Sequence, residues 1–553
     1  MRWLLLVTVL AACPRPRSEP PPIGSGSGSA VTPVATDPPV LAIASPERGT
    51  FVDGAALVVR GTASPGSARH DGAVRVTVNG GEVPVGADGA FTTTLQLTSG
   101  LTIVETHAID ATGRDVRDVR AVLAGPFAVS DGSIATPIAA RIGGAGLRAI
   151  GTALAASAKA IDFAAAAKAM NPVYDNPGCL GARVDIADVT VGKIDVALVP
   201  KAGAIGVAVT VHDIVIKLSV AYEVACIGGR TAMLVRTKAR LNGELNARLV
   251  GRRIQTAMTR PDATLDELQL DIGGLPGPIQ RIVRPAVGIG VEAALIDAIA
   301  NKLPPLADAR LAELFARPHV AAVLSRDVEI DVVPRRVDLT AGGLALAAEA
   351  RFLVRGGEAG RYVTLPGPVT AGNTTNLGVA FSVDGVNQLF AGLWAARAFE
   401  RTSAIEDVGP LRLLLDRNVK SVHVAAALPP TVAGETLHLA IGDLIVTAKD
   451  GAGEIVQQFV VSLRTQLAVK PGELALATTT PTVHAQLLAQ RPGLERPLDA
   501  AAIEGVVGGA WWLVDGMVNA ALSRLPMPVL AGALDAKLVG ARGGAIVLEI
   551  APR

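Results

Sequence analysis

Residues 205–222 set the strictest limit on what this chain can fold into. Ile205, Val207, Val209 and Val211 occupy odd positions; beyond His212-Asp213 the apolar set moves to even positions, Ile214, Ile216, Leu218, Val220 and Tyr222. A period of two belongs to a strand with one buried face, whereas a helix would scatter these side chains around its axis. A one-residue change of phase inside such a strand is what a β-bulge produces. The spacing therefore predicts a long, bulged strand able to curve strongly, as a sheet must when it wraps around a helix.

The neighbouring segments extend this reading. Val184 to Pro200 is predicted as a strand, with Ile194, Val196 and Leu198 alternating with polar or small residues. Met233 to Leu249 alternates too, with Arg236, Lys238 and Arg240 on the other face. Ahead of them a long helix is predicted over Ile134 to Met170. Its bulky residues Ile138, Ile142, Leu147, Ile150, Leu154, Ile161 and Phe163 are mostly three to five positions apart, and the rest is Ala, Gly and scattered Lys or Arg. A second helix is predicted over Pro276 to Leu303. Hydrophobic residues make up 50% of the chain, charged ones 18% and aromatic ones 3%, so the apolar share is mostly Ala, Val, Ile and Leu. That suits β-branched strands and Ala-rich helices and excludes disorder.

The carboxy-terminal half repeats the plan loosely. Val328 to Leu346 reads as a strand, and Leu377-Gly378-Val379-Ala380-Phe381 as a strand running into a helix that carries Val386, Leu389, Phe390, Leu393 and Trp394. Strands are predicted at about 419–428, 436–448, 453–469 and 473–479. A late helix over Asp499 to Leu525 holds Ile503, Val506, Trp511, Trp512, Val514, Met517, Val518 and Leu522, and a last strand covers Ala545 to Ile550.

The amino end differs in kind. One cation, a short apolar run and the small residues Ala11-Ala12 precede Cys13, the pattern of a signal peptide. The run is shorter than the roughly 20 apolar residues that span a bilayer. Leu10-Ala11-Ala12-Cys13 matches the lipobox of bacterial lipoproteins, a resemblance that implies a diacylglyceryl thioether on Cys13 and cleavage after Ala12. The alternative is an ordinary leader with Cys13 incidental. Pro14 stands where an inner-membrane retention signal carries Asp, which favours the outer membrane. Residues 13–40, with Pro20-Pro21-Pro22 and Gly24-Ser25-Gly26-Ser27-Gly28-Ser29, read as a tether. With Cys13 lipidated, Cys179 and Cys226 remain, and an oxidising compartment favours pairing them across a loop of about 46 residues, worth roughly 4 kcal/mol. Two separate buried thiols are the alternative.

Residues 41–126 carry short alternating runs with turn punctuation: Val74 to Val78 leading into Asn79-Gly80, the turn Ala87-Asp88-Gly89-Ala90-Phe91, and Leu101 to Gly113. The segment resembles bacterial immunoglobulin-like domains, including those attached to glucodextranase. Such domains serve as spacers or interaction modules; sugar binding is the weaker reading because exposed aromatics are nearly absent.

From about residue 134 onward the chain resembles the bactericidal/permeability-increasing protein and related lipopolysaccharide-binding and lipid-transfer proteins. The likeness is carried by the opening helix pattern, by DVTVGKIDVALVPKAGAIGVAVTVHDIVIKLSVAYEV, by LGVAFSVDGVNQLFAGLWAARAFE and by LSRLPMPVLAGALDAKLVGARGGAIVLEI. It implies an α+β class: two elongated barrels of curved antiparallel sheet wrapped around long helices, joined by a shared central sheet, with an apolar pocket for acyl chains in each. The expected organisation is a signal peptide at 1–12, a tether at 13–40, an all-β immunoglobulin-like sandwich at 41–126, a first barrel at 127–325 and a second at 326–553. The net charge of +1 supplies neither the family's cationic endotoxin-binding tip nor a basic field for nucleic acid.

A helix wrapped by a sheet leaves a slot that small side chains keep wide. Ile138, Ile142, Leu147, Ile150, Leu154, Leu389, Leu393, Trp511, Val514 and Val518 are the candidate lining for lipid or phospholipid acyl chains; the competing reading is that they only pack a core. None of the seven histidines has a second ligand at metal spacing, and no Gly-x-Ser-x-Gly elbow is present. The sequence therefore points to a non-catalytic, cofactor-free lipid-binding or lipid-transfer lipoprotein held at the envelope by its anchor. A scaffold that keeps the fold without ligand is the second reading. Oligomeric state is left open.

Overall fold

In a computed structural model of the chain the alternating run is a 21-residue strand, Ala204–Val224. The structure describes residues 37–66, 74–158, 163–271, 273–281, 283, 285, 305, 308, 318–365, 367, 369–372, 374–434, 436–469, 476–509, 511, 534–542 and 544–552. The phase change is a bulge: Val211 pairs with Ala239 and Ile214 with Thr237, so two residues oppose one. Asp213 sits there at φ 52°, a left-handed conformation that Asp tolerates better than most residues.

The strand lies in a curled antiparallel sheet with the order Tyr174–Asn176, Leu180–Thr190, Ala204–Val224, Ile227–Val250, Arg253–Asp271. The segment expected as one strand, Val184 to Pro200, is two. Leu180–Thr190 pairs with residues 215–224 and Ile194–Lys201 with residues 204–211. The break falls opposite the bulge, where His212 N–H donates to the Lys193 carbonyl at 2.8 Å. Arg253–Asp271, which no alternation announced, forms the edge.

The long opening helix needs correction. Thr136–Ile142 is a strand, and the helix runs only over Gly144–Ala158, with a second short helix at Phe163–Lys168. Ile138 and Ile142 are four apart, a spacing that one helix face and one strand face both satisfy. The partners decide: Thr136–Ile142 pairs with residues 344–350 on one side and 377–381 on the other. At 15 residues the helix is about 22 Å long, while the 24-residue strand Ile227–Val250 extends about 80 Å. The fold is thus mostly β, with two curled sheets and short described helices.

Thr136–Ile142 belongs to a central sheet with the order His319–Val323, Arg326–Thr340, Gly343–Val354, Thr136–Ile142, Leu377–Ser382, Ala545–Pro552, Leu534–Arg542. Strands from the beginning, middle and end of the body lie side by side there. The expected single strand Val328 to Leu346 is a hairpin, closed where Thr340 faces Gly343.

The second curled sheet has the order Arg401–Ala404, Ser421–Ala426, His438–Lys449, Ile455–Val469, Leu476–Thr478, with Thr431–Ala433 on His438–Lys449 and Thr482–Gln490 on Ile455–Val469. It too is bulged, between Ile441 and Leu444. The helix Val383–Ala395 follows directly on the strand Leu377–Ser382, as the sequence indicates, and Ser382 Oγ caps it by accepting from Asp384 N–H at 3.1 Å.

The amino-terminal β-unit consists of one sheet ordered Val40–Ser45, Ala56–Ser64, Ala90–Gln96 and a second ordered Thr50–Val52, Asp115–Ala124, Gly100–Ile109, Arg75–Val78, Gly81–Val83. Its core includes Val59, Val76, Ala108 and Val122. Asn79 and Gly80 make the hairpin turn at φ 46° and 80°. The unit is not a free-standing spacer. Ala121 and Leu123 of Asp115–Ala124 share a buried cluster with Val363 and Leu428 of the body.

Candidate functional site

The candidate lining residues separate into distinct groups. Ile142 and Ile150 pack around Leu147, which is 2% exposed, together with Leu198, Ile205, Val207 and Leu339. The helix comes hard against the sheet here: a Cβ on Gly151 would lie 2.5 Å from the Val196 carbonyl oxygen. At this point helix and strand are in direct contact. Ile138 lies on the central sheet between Ala348 and Phe381. Leu154 points away from the core and is 49% exposed.

Leu389 and Leu393 sit on Val383–Ala395 and pack against Val328, Ile330 and Val354 of the central sheet. The same helix meets the second curled sheet through Val383 and Val386, which cluster with Val432, Leu437, Leu439 and Leu467. Polar groups fix it between the two layers. Asn387 accepts from Val432 N–H at 2.8 Å and donates to the Val432 carbonyl at 3.1 Å. Gln388 donates to the Ile134 carbonyl at 2.9 Å. Burial pushes the Asp384 carboxyl up, and Leu365 N–H donates to it at 2.6 Å. Trp511 is buried, and its indole N–H donates to Thr478 Oγ1 at 2.7 Å. Val514, Val518 and Cys13 lie outside the described residues.

The first curled sheet carries an extended buried apolar cluster. Val184, Ile186, Ile214, Ile216, Leu218, Val220, Met233 and Val235 form one buried cluster, met by Leu275, Ile279 and Val283. Ile279 and Val283, within the predicted second helix, are helical and pack on this sheet. Cys179 and Cys226 are joined by a disulfide, with Cα atoms 4.1 Å apart.

A shallow cleft of about 440 Å³, lined by Asp53, Ala55, Leu97, Ser99 and Pro126 among others, lies on the amino-terminal unit, away from these surfaces. It has no aromatic lining. Among the described residues no group of three or more His, Cys, Asp or Glu is arranged to hold a metal ion. None of the helices there is long and apolar enough to cross a membrane.

Sequence reasoning missed the seam between the amino-terminal unit and the second curled sheet. Asp443, fully buried, accepts from Ala121 N–H at 3.0 Å and Gly49 N–H at 3.2 Å and faces Arg48 at 3.4 Å. Burial pushes its carboxyl up, opposed by the Arg48 guanidinium. Gln486 Oε1 accepts from Val119 N–H at 2.9 Å and Arg48 Nη2 at 2.6 Å. Arg117 donates to the Ala485 carbonyl at 2.6 Å and pairs with Glu504. The partners are separated by hundreds of residues, and no local pattern announces them.

Residues 39–125 match the family described as glucodextranase, domain B. No curated protein matches the chain. Among solved structures, the crystal structure of lipopolysaccharide binding protein aligns with 75% of this chain and 98% of that one, at 11% identity and a TM-score of 0.40. The crystal structure of an engineered protein aligns with 16% of this chain and 20% of that one, at 27% identity and a TM-score of 0.13. At those scores neither structural likeness carries a functional reading to this chain.

Proposed function

We propose that this protein is an envelope lipoprotein that binds lipid acyl chains along the apolar face of a curled sheet and performs no catalysis. The observation that carries the reading is the face formed by Ile186, Ile214, Ile216, Leu218, Val220, Met233 and Val235. It is continuous, uncharged and borne on strands of 21 and 24 residues, longer than an acyl chain. Covering apolar surface contributes about 25 cal/mol per Å², so a fatty chain laid along such a face is held without polar recognition. The lipobox ending in Cys13 supports a lipid anchor, and the Pro/Gly/Ser-rich stretch after it supports a tether. The 39–125 unit, locked to the body, serves as a fixed interaction module.

The test is organic extraction of the purified full chain carrying Cys13→Ser, followed by mass spectrometry. One or more lipids recovered in fixed ratio to protein is the expected result; reproducibly empty protein would overturn acyl-chain binding. The anchor is tested separately by growth with a labelled fatty acid, since label retained after Cys13→Ser removes the anchoring claim.

A further inference from the structure

The apolar face of the first curled sheet does not stop inside the protein. Directly opposite residues of antiparallel strands share a face, and the register carries that face outward rung by rung. Ile186, Leu218 and Met233 form one rung; Val184, Val220 and Thr231 the next; Ala182, Tyr222 and Gly229 the next; Leu180, Val224 and Ile227 the last. The inner rungs are closed, with Leu218 and Val220 fully buried. At the last rung Leu180 is 53% and Ile227 75% exposed, and Ile227 is the most exposed large apolar side chain among the described residues.

The way this end is built points to a purpose. The hairpin turn is Ala225-Cys226, both at positive φ, 50° and 65°. Such turns favour Asn, Asp and Gly, yet the chain places uncharged, non-polar residues there. The disulfide from Cys226 to Cys179 ties the turn to the start of the neighbouring strand. Residues 177–180 and 224–229 include no charge, and the flanking Arg183, Glu223 and Arg230 take the alternate parity, on the outer face. The result is a small, pinned, exposed apolar tip.

We propose that this tip inserts Leu180 and Ile227 into the surface of a neutral lipid bilayer. A tip with two large exposed side chains is far below the roughly 1,200 Å² of a stable protein interface. It offers no charge for an acidic or basic partner. A bilayer accepts a small exposed apolar tip at any orientation around its axis and needs no complementary shape. The inference goes beyond acyl-chain binding but deepens it, because the inserted rung is the outer end of the face proposed to hold the chain.

The experiment uses the full chain carrying Cys13→Ser, mixed with phosphatidylcholine vesicles and floated on a density gradient. Vesicle binding is expected to fall at least tenfold when Leu180→Asp and Ile227→Asp are added, with an unchanged melting temperature because both side chains are exposed. Raising the salt concentration is expected to leave parent binding unaltered. Ile227→Trp is expected to add fluorescence that brominated phosphatidylcholine quenches. Equal flotation of parent and Asp variants, or an Ile227→Trp signal that brominated lipid leaves untouched, would overturn the proposal. So would a parent dimer that the Asp variants split, which would assign the tip to a second copy of the chain. Lipid extraction of the same variants separates the two readings: lost flotation with full lipid content supports the tip, and retained flotation with empty protein removes the acyl-chain reading alone.

Discussion

Arg48 and Asp443 face each other across the seam between the amino-terminal β-unit and the second curled sheet, Nη1 to Oδ1 at 3.4 Å, with the aspartate side chain wholly out of solvent. The pair is one part of a satisfied network, since two backbone N–H groups also donate to the same carboxylate. Removing one partner of a fully buried pair costs about 3–5 kcal/mol; Arg48 keeps Asp118 at 3.6 Å, so that range is an upper bound here. Asp443→Ala is therefore expected to lower stability by up to about 3 kcal/mol in chemical denaturation. It should also open the seam to proteases, which a spectroscopic probe of the body alone would miss. Asp443→Asn keeps an acceptor for the N–H groups and should cost less.

Gly151 tests how tightly the helix Gly144–Ala158 packs on the strand Ile194–Lys201. Alanine in place of glycine within a helix ordinarily stabilises by about 1 kcal/mol. At Gly151 the added Cβ would meet the Val196 carbonyl oxygen at 2.5 Å, and a backbone atom cannot swing aside like a side-chain end. Overpacking of this kind costs about 1–3 kcal/mol, so the clash outweighs the propensity. Gly151→Ala is expected to lower the melting temperature, whereas an unchanged or higher value would mean the helix rides free of the strand.

Much of this architecture was legible because side-chain period reports strand faces directly. The bulge at His212-Asp213, the Asn79-Gly80 hairpin and the strand-into-helix passage at Ser382-Val383 could all be read from spacing. The errors have identifiable causes. Ile138 and Ile142 satisfy two periods at once, and only pairing with residues 344–350 and 377–381 settles them as strand. Arg253–Asp271 is an edge strand with Pro261 inside it and positive φ at Arg260 and Glu267, so its alternation is broken where it bulges. The candidate site was less legible. Leu147 and Ile150 pack a closed core, while Leu180 and Ile227 stand out only once the register shows where the face ends.

Acid should unfold the protein through its turn carboxylates. Asp110 accepts from the Thr112 hydroxyl at 2.7 Å and from Arg114 Nε at 2.8 Å, which hold it far below the usual range. Arg491 holds Asp450 low, and Asn418 N–H with others holds Asp416 low. A depressed carboxyl contributes stability above the unfolded value of about 3.9 and loses it as pH falls through the folded value. Asp443 has the opposite sign: its raised carboxyl takes up a proton in the folded state first, so its burial cost is relieved as pH falls. Denaturant midpoints are expected to hold down to about pH 5 and drop below about pH 4. Asp110→Asn should flatten that limb and Asp443→Asn should steepen it; the reverse order would refute the assignment.

Trp511 and Thr478 supply a test of the second curled sheet that does not depend on any ligand. The indole N–H donates to the threonine hydroxyl at 2.7 Å, fixing a large ring against the short strand Leu476–Thr478. A hydrogen bond of this type contributes about 0.5–1.5 kcal/mol net. Trp511→Phe keeps most of the apolar bulk and removes the donor, while Thr478→Val keeps the shape and removes the acceptor. If the ring is anchored by that bond, the double variant should cost less than the two single losses added together, by about 1 kcal/mol in a double-mutant cycle. Additive losses would mean that the ring is held by packing alone.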